Sequence, residues 1–414
     1  SHTAPARPRG RRPRTKADRM LKPDTWALTI LLASLTALGP ISTDMYLPAL
    51  PSILRDLETT HASVQLTLSV FLVGFAVGQV VYGPLADRVG RKPGLIAGLA
   101  IYAVASLACT LAPSVEVLIV ARFCQAFGAA GPVVLARAVV RDLYEGPRAG
   151  QELARMGSIM GLAPAIAPFF GGLIAAAGGW RLVFLVSVAF AALVIASVWR
   201  GLPETIRARE TAPFSVRAVL SGFAGLLRHR AYVAYLAVVT LTYSGLFAFI
   251  SGSSFVLQDI FGLTPQLYGI AFGACAGAYV VGTLIGQRLA PKKGAEVTIL
   301  TGCVLLALGG AAMIAAVLAA PSAASVIAPM MLYMVGVGLA LPQAQAAALM
   351  PFPDRAGSAS SLMGICQMSI AALVGIGVGA THGATALPLA LIVAVNGFGA
   401  VLALLASRRV RSAT

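Results

Sequence analysis

Long apolar runs fill this chain, and charged residues interrupt them at intervals close to one bilayer crossing. Crossing about 30 Å of hydrocarbon takes about 20 helical residues. On that ruler the pattern predicts twelve spans, at 26–50, 62–82, 93–112, 115–138, 154–177, 181–199, 231–257, 266–287, 297–319, 323–349, 357–380 and 385–406. The stretches 297–353 and 356–407 contain no Asp, Glu, Lys or Arg. Each is too long for one helix and has a Pro or Gly break near its middle, so each reads as a hairpin of two spans.

The longest polar interruption, about 200–230, divides six spans from six. Its second part, SVRAVLSGFAGLLRHR, has helical apolar spacing with basic residues and is expected to lie flat on the membrane surface. The predicted organisation is a basic tail at 1–24, a six-helix bundle at 25–200, a central loop at 201–230, a second bundle at 231–407 and a short tail at 408–414. A halved chain with a site at the interface is the plan of a transporter. A weak internal echo agrees: Gly83 to Lys92 ends span 2, and GQRLAPKKG at 286–294 ends span 8. The fold class that follows is an all-α integral membrane protein.

Composition sharpens this. Hydrophobic residues make up 58% and charged residues 11% of the chain, against roughly a quarter charged in a soluble domain. The net charge of +16 would suit nucleic acid, but its distribution does not. With the N-terminus inside, 28 of 31 basic residues fall on the inner segments; only Arg55 and Arg181 lie outside, and Arg122 lies within a span. This predicts cytoplasmic N- and C-termini and assigns the basicity to anionic lipid rather than nucleic acid. The first 19 residues form a basic, Pro-containing arm without the cleavage site of a signal peptide, and Met20 opens what reads as the natural start. The five cysteines, Cys109, Cys124, Cys275, Cys303 and Cys366, stand singly in apolar runs and read as packing residues. No metal-ligand spacing occurs. His2, His61, His229 and His382 are too scattered to form a site, so an integral-membrane enzyme is disfavoured and no cofactor is expected.

Two charges fall deep in the predicted spans, Asp44 and Arg122. A charge at mid-bilayer costs at least about 2.5–3.5 kcal/mol, so it is functional by default. Each lies about seven residues from the outer end of its span, which places both at one depth, able to pair or to share a cavity. Pro40 and Pro48 flank Asp44 and loosen the helix there. Asp44 is therefore expected to carry the coupling proton and to titrate together with Arg122. The alternative is a buried ion pair that only registers helices.

Between spans 2 and 3 stands GPLADRVGRKP, in which Gly83, Asp87, Arg88, Gly90, Arg91 and Lys92 fit G-x-x-x-D-R-x-G-R-K. The two glycines permit a tight turn and close helix approach. Three cations pin the loop inside, but Asp87 weakens that bias and calls for a partner; the expected one is the start of span 11, DRAGSASSL (354–362), across the two halves. Span 5 carries Gly157, Gly161, Pro164, Pro168, Gly171 and Gly172, more than ordinary packing needs, as suits a bendable seam that blocks proton leakage. Tyr46, Gln125, Tyr243, Phe247, Gln343, Gln367 and Asn396 are mid-span polar or aromatic candidates for the cargo pocket.

The 83–93 string resembles the signature of the major facilitator superfamily. Span 4, LIVARFCQAFGAAG (118–131), is similar to the family's L-x-x-x-R-x-x-Q-G-x-G-A-A, with Ala126 in place of the first Gly. Span 5, GLAPAIAPFFGG (161–172), resembles the antiporter motif ending in G-P-x-x-G, with Ala167 replacing that Gly. With ISTDMYLPALP (41–51) and LPET (202–205), the chain resembles the bicyclomycin/chloramphenicol-resistance branch of drug:proton antiporters over 25–407. The resemblance implies the major facilitator fold and a monomer in the bacterial cytoplasmic membrane. It implies proton-driven export of small amphiphilic drugs, and a part for Arg122 in the proton relay. A proton-coupled metabolite transporter, and a channel or sensor relative, are the remaining alternatives.

Overall fold

The computed structural model describes residues 25–144, 147–206, 216–352, 355–381 and 383–408. The basic arm and Asp354 lie outside them. The helices in chain order are α1 (Trp26–Asp44), α2 (Leu50–Asp56), α3 (His61–Val89), α4 (Arg91–Thr110), α5 (Val115–Leu143), α6 (Pro147–Gly201) and α7 (Val216–Leu227). They continue with α8 (Arg230–Phe255), α9 (Pro265–Lys293), α10 (Ala295–Ala319), α11 (Ala323–Leu349), α12 (Ala356–Ala380) and α13 (Leu387–Ala406). A 3₁₀ turn, Leu47–Ala49, joins α1 to α2, and a π turn, Val256–Ile260, extends α8. No strand occurs among the described residues.

Eleven helices among the described residues are long and apolar enough to cross a membrane. One of them continues an unusually long element: α6 runs for 55 residues and breaks at Gly178 and Gly179, where the backbone leaves helical geometry. Gly179 takes φ 74°, a conformation that side chains resist. The break gives α6 two crossing arms, making twelve crossings, with α7 the short helix of the central segment. Side-chain caps mark several starts: Thr25, Thr60 and Thr264 accept from backbone N–H groups, and Ser322 closes a capping box with Ser325.

Several spans outrun their predicted ends. α3 continues to Val89, α5 to Leu143 and α9 to Lys293, while α6 starts at Pro147. The charges that suggested loops sit on helical turns that project beyond the hydrocarbon, where a charged side chain reaches water at little cost. The echo between the halves has a structural form. α3 turns into α4 at Gly90 (φ 112°), and α9 turns into α10 at Gly294 (φ 88°).

At the end of the bundle remote from the termini, the far end, two helix seams between the halves stand out. The first joins α3 to α12. A methyl placed on Gly379 would lie 2.6 Å from Gln65 Oε1, and one on Gly375 would lie 2.7 Å from Ser69 Oγ. Nearer mid-helix, one on Gly364 would lie 3.0 Å from Gln79 Oε1. Beyond that point, on the same helix faces, Gly83 and Gly357 would meet nothing within 4 Å. The seam is thus packed at the far end and parts toward the near end. Gly83, expected to permit close approach, makes none. The second seam joins α6 to α9: Gly172 abuts the Pro265 carbonyl, and Gly269 abuts the Pro168 carbonyl.

Candidate functional site

α1 ends at Asp44, just before the 3₁₀ turn. Pro48 has no N–H to continue the helix, so the chain reforms its ladder as a narrower, more tightly wound turn. Two carbonyls in that turn serve the other half. Ser254 Oγ donates to the Leu47 carbonyl at 2.5 Å, and Gln258 Nε2 donates to the Pro48 carbonyl at 3.2 Å. Gln65 Nε2 donates to the Ser251 carbonyl at 3.2 Å. At the rim, Asp259 approaches Arg55 at 3.9 Å and His61 at 3.8 Å. A broken helix in one half and a π turn in the other thus close the far end together.

Arg122 is wholly buried in α5. Its Nη1 donates to the Ser42 carbonyl at 3.0 Å and to Gln125 Oε1 at 2.6 Å. The guanidinium carbon lies 4.5 Å from the Tyr46 ring centroid and 4.3 Å from that of Phe71, distances suited to cation–π attraction. Among the described residues its Nε and Nη2 have no hydrogen-bond partner. Gln125 Nε2 donates to Ser106 Oγ at 2.8 Å, Ser106 Oγ donates to the Tyr102 carbonyl, and the Tyr102 and Ser42 hydroxyls pair at 2.7 Å. This ring of contacts ties α1, α4 and α5 around one cation. Ser42, Tyr102 and Ser106 escaped the sequence reading because nothing in their spacing links residues 19 to 80 positions apart on different helices.

Asp44 is 5% exposed and accepts from Thr43 Oγ1 at 3.1 Å. Among the described residues no ion pair joins it to Arg122, which corrects the expected coupled unit. The reason is helical geometry: Ser42 and Tyr46, four apart, share the Arg122 side, while Asp44 stands about 200° round the helix from Ser42. Asp44 instead directly precedes the turn whose Leu47 and Pro48 carbonyls accept from the other half. It therefore belongs to the seam and Arg122 to the interior of one half.

The 83–92 loop also differs from expectation. Asp87 Oδ1 pairs with Arg91 Nη1 at 2.6 Å, and Arg91 Nε reaches Asp142 Oδ2 at 3.0 Å. Thr205 Oγ1 donates to the same Asp142 oxygen at 2.9 Å. Glu204 accepts from the backbone N–H groups of Arg91 at 2.9 Å and Lys92 at 3.3 Å, capping α4. Lys92 Nζ donates to the Trp199 and Leu202 carbonyls, both at 2.7 Å. Glu204 Oε2 fills the space beside Gly90. Arg88 points outward at the end of α3. Asp87 thus finds a partner in its own half, because the α3–α12 seam has already parted at its level. The LPET segment is the clamp on this loop, a role that its distance in sequence concealed.

Gly171 packs on the Met45 backbone within its half, and Gly172 packs on α9 of the other. Pro164 is half-buried and Pro168 buried in the same arm, and Gly161 lies on its helix. Of the pocket candidates, Tyr46, Gln125, Phe247 and Asn396 are buried in packing roles: Tyr46 and Gln125 hold Arg122, Phe247 lies on Gly375, and Asn396 bonds its own helix at Ile392. Tyr243 and Gln343 stay half-buried, and Gln367, 7% exposed, accepts from Gln345 Nε2 at 3.5 Å. Glu152, outside the predicted spans, is a further buried carboxylate. It accepts from Thr29 Oγ1 and pairs with Arg155 at 3.3 Å. No cluster of metal-ligating side chains occurs among the described residues.

Residues 32–376 match the Major Facilitator Superfamily. The chain is 32% identical to the MFS-type transporter YdgK of Bacillus subtilis (strain 168), over 89% of this chain and 92% of that protein. It is 30% identical to the bicyclomycin resistance protein homolog of Haemophilus influenzae, covering 85% and 88%. It is 32% identical to the chloramphenicol resistance protein of Pseudomonas aeruginosa, covering 84% and 83%. Among solved structures, a bacterial homolog of the human lysosomal transporter Spinster, inward-facing and occupied, superposes with TM-score 0.72 at 17% identity, covering 95% and 96%.

Proposed function

We propose that this chain, which belongs to the major facilitator superfamily, exports small drug-like molecules across the bacterial inner membrane in exchange for protons. The export of drugs follows the names of its bicyclomycin- and chloramphenicol-resistance relatives. The termini are taken as cytoplasmic, so the near end faces inward and the structure is the inward-open state. The protein works as a monomer in lipid, without cofactor and without chemistry on its cargo.

One observation carries the proton coupling: a buried carboxylate without a cation partner among the described residues, Asp44, stands beside the turn that seals the far end. Burying an unpaired charge is costly, so closing the seam over Asp44 goes with proton uptake there. A proton loaded from outside lets Leu47 and Pro48 engage Ser254 and Gln258. Cargo entering from inside then displaces the proton, the seam reopens, and cargo leaves outward. Each ligand biases the same two-state seam. Arg122 holds the Asp44 segment through the Ser42 carbonyl and acts as a positioning residue.

The test is proton movement in everted vesicles on adding chloramphenicol. Chloramphenicol-evoked dissipation of an imposed proton gradient supports exchange. Cargo movement with no accompanying proton flux would rule it out.

A further inference from the structure

The cargo site itself can be narrowed from the point where the halves part. The α3–α12 seam is packed down to Gln79 and Gly364 and open below it. The tip of the inward vestibule is therefore at that level. Gln79 stands ten residues from the end of α3 and Gln367 eleven from the start of α12, each roughly 15 Å from the near end. Because the last turns of α3 project beyond the hydrocarbon, this level lies between the membrane middle and its near face, on the path of cargo entering from the near end.

Two amides touch there, Gln345 and Gln367, and a third, Gln79, lies about one turn of α12 away. Gln79 Oε1 lies against Gly364, one turn from Gln367 on α12, and Gln345 Nε2 reaches Gln367 Oε1 from α11. Gln79 and Gln345 are half-buried, on the boundary between protein and open space. An amide presents two donors and an acceptor with two lone pairs. The 3.5 Å contact between Gln345 and Gln367 leaves most of that capacity free for another molecule. None of the three carries charge. Arg137 and Arg141, exposed on the near-end turns of α5, add positive charge at that end of the bundle. A lipophilic cation gains nothing from such a lining, whereas a neutral molecule with amide or hydroxyl groups can satisfy both halves at once.

We propose that Gln79, Gln345 and Gln367 form the cargo site, and that it selects uncharged molecules bearing amide or hydroxyl groups. The proposal rests on the drug-export reading above and adds the class of cargo. The competing role is structural: amides that tie α3, α11 and α12 together.

The two roles separate in proteoliposomes holding the full chain, with chloramphenicol as the uncharged probe and tetraphenylphosphonium as the cationic one. Gln79→Leu and Gln367→Leu are expected to raise the chloramphenicol KM about five- to tenfold, the size of one lost neutral hydrogen bond. Gln79→Glu is expected to reverse the preference toward tetraphenylphosphonium, with a thermal midpoint close to that of the parent. An unchanged ratio of the two probes in all three variants overturns the proposal. So does an equal loss of both probes together with a lowered midpoint, the mark of a structural tie. A parent chain that moves neither probe against a proton gradient overturns the export reading, and this proposal with it. Robust chloramphenicol export with an unmoved ratio overturns the amide site alone.

Discussion

Gly171 and Gly172 are neighbours in sequence, yet a methyl on each should act on a different equilibrium. A methyl on Gly172 would stand 2.5 Å from the Pro265 carbonyl oxygen of α9, where ordinary contact begins at 3.4 Å. The shortfall, 3.4 − 2.5 = 0.9 Å, falls between two backbones, so no side chain can yield. Overpacking of this kind costs about 1–3 kcal/mol. The cost is borne only while the far end is closed, so Gly172→Ala should move the closed-to-open ratio about 5- to 150-fold toward open. Gly171→Ala presses instead on Met45 of its own half. It should lower the thermal midpoint and leave that ratio nearly unchanged. Spin labels at Arg55 and Asp259, on opposite sides of the far-end rim, report the ratio as a distance distribution. Gly269→Ala, against the Pro168 carbonyl, should reproduce the Gly172→Ala shift. Identical distributions for Gly172→Ala and the parent would refute a closed α6–α9 seam as the far-end gate.

Other outcomes follow from the same geometry. Arg122→Lys keeps the charge but loses the planar stack between Tyr46 and Phe71 and the fork to the Ser42 carbonyl and Gln125. Gradient-driven transport should fall at least about tenfold, and parental rates would show that charge alone suffices. Asp259→Asn removes both rim pairs, which are partly exposed and contribute about 0–1 kcal/mol. The far end should open by no more than about fivefold, and about 1 M salt should mimic it in the parent. A much larger shift would mean that the rim, not the Leu47–Pro48 turn, holds the seam.

The crossings were legible because a charge is expensive in hydrocarbon, so Asp, Glu, Lys and Arg mark where helices leave it. The same logic picked out Asp44 and Arg122. It could not tell that they face apart, since that depends on which side of α1 each neighbour packs. Nor did it find Glu152, because a charge near a span end was read as loop although α6 begins at Pro147. The clamp of Glu204 and Asp142 on the 83–92 loop joins residues 51 to 113 positions apart. Local pattern does not encode such pairings. Pocket candidates chosen by depth alone mixed Tyr46 and Gln125, which hold Arg122, with Gln367, which stands where the halves part. Depth is readable from sequence, whereas facing is a property of the packed bundle.

The central claim is that the proton on Asp44 governs closure of the far end. It is tested most directly by Asp44→Asn, whose amide resembles a permanently protonated carboxyl, in everted vesicles under an imposed proton gradient. Gradient-driven chloramphenicol accumulation should be abolished, while chloramphenicol binding to the purified variant stays within a few-fold of the parent. Parental accumulation by Asp44→Asn, with its usual proton flux, would contradict the account.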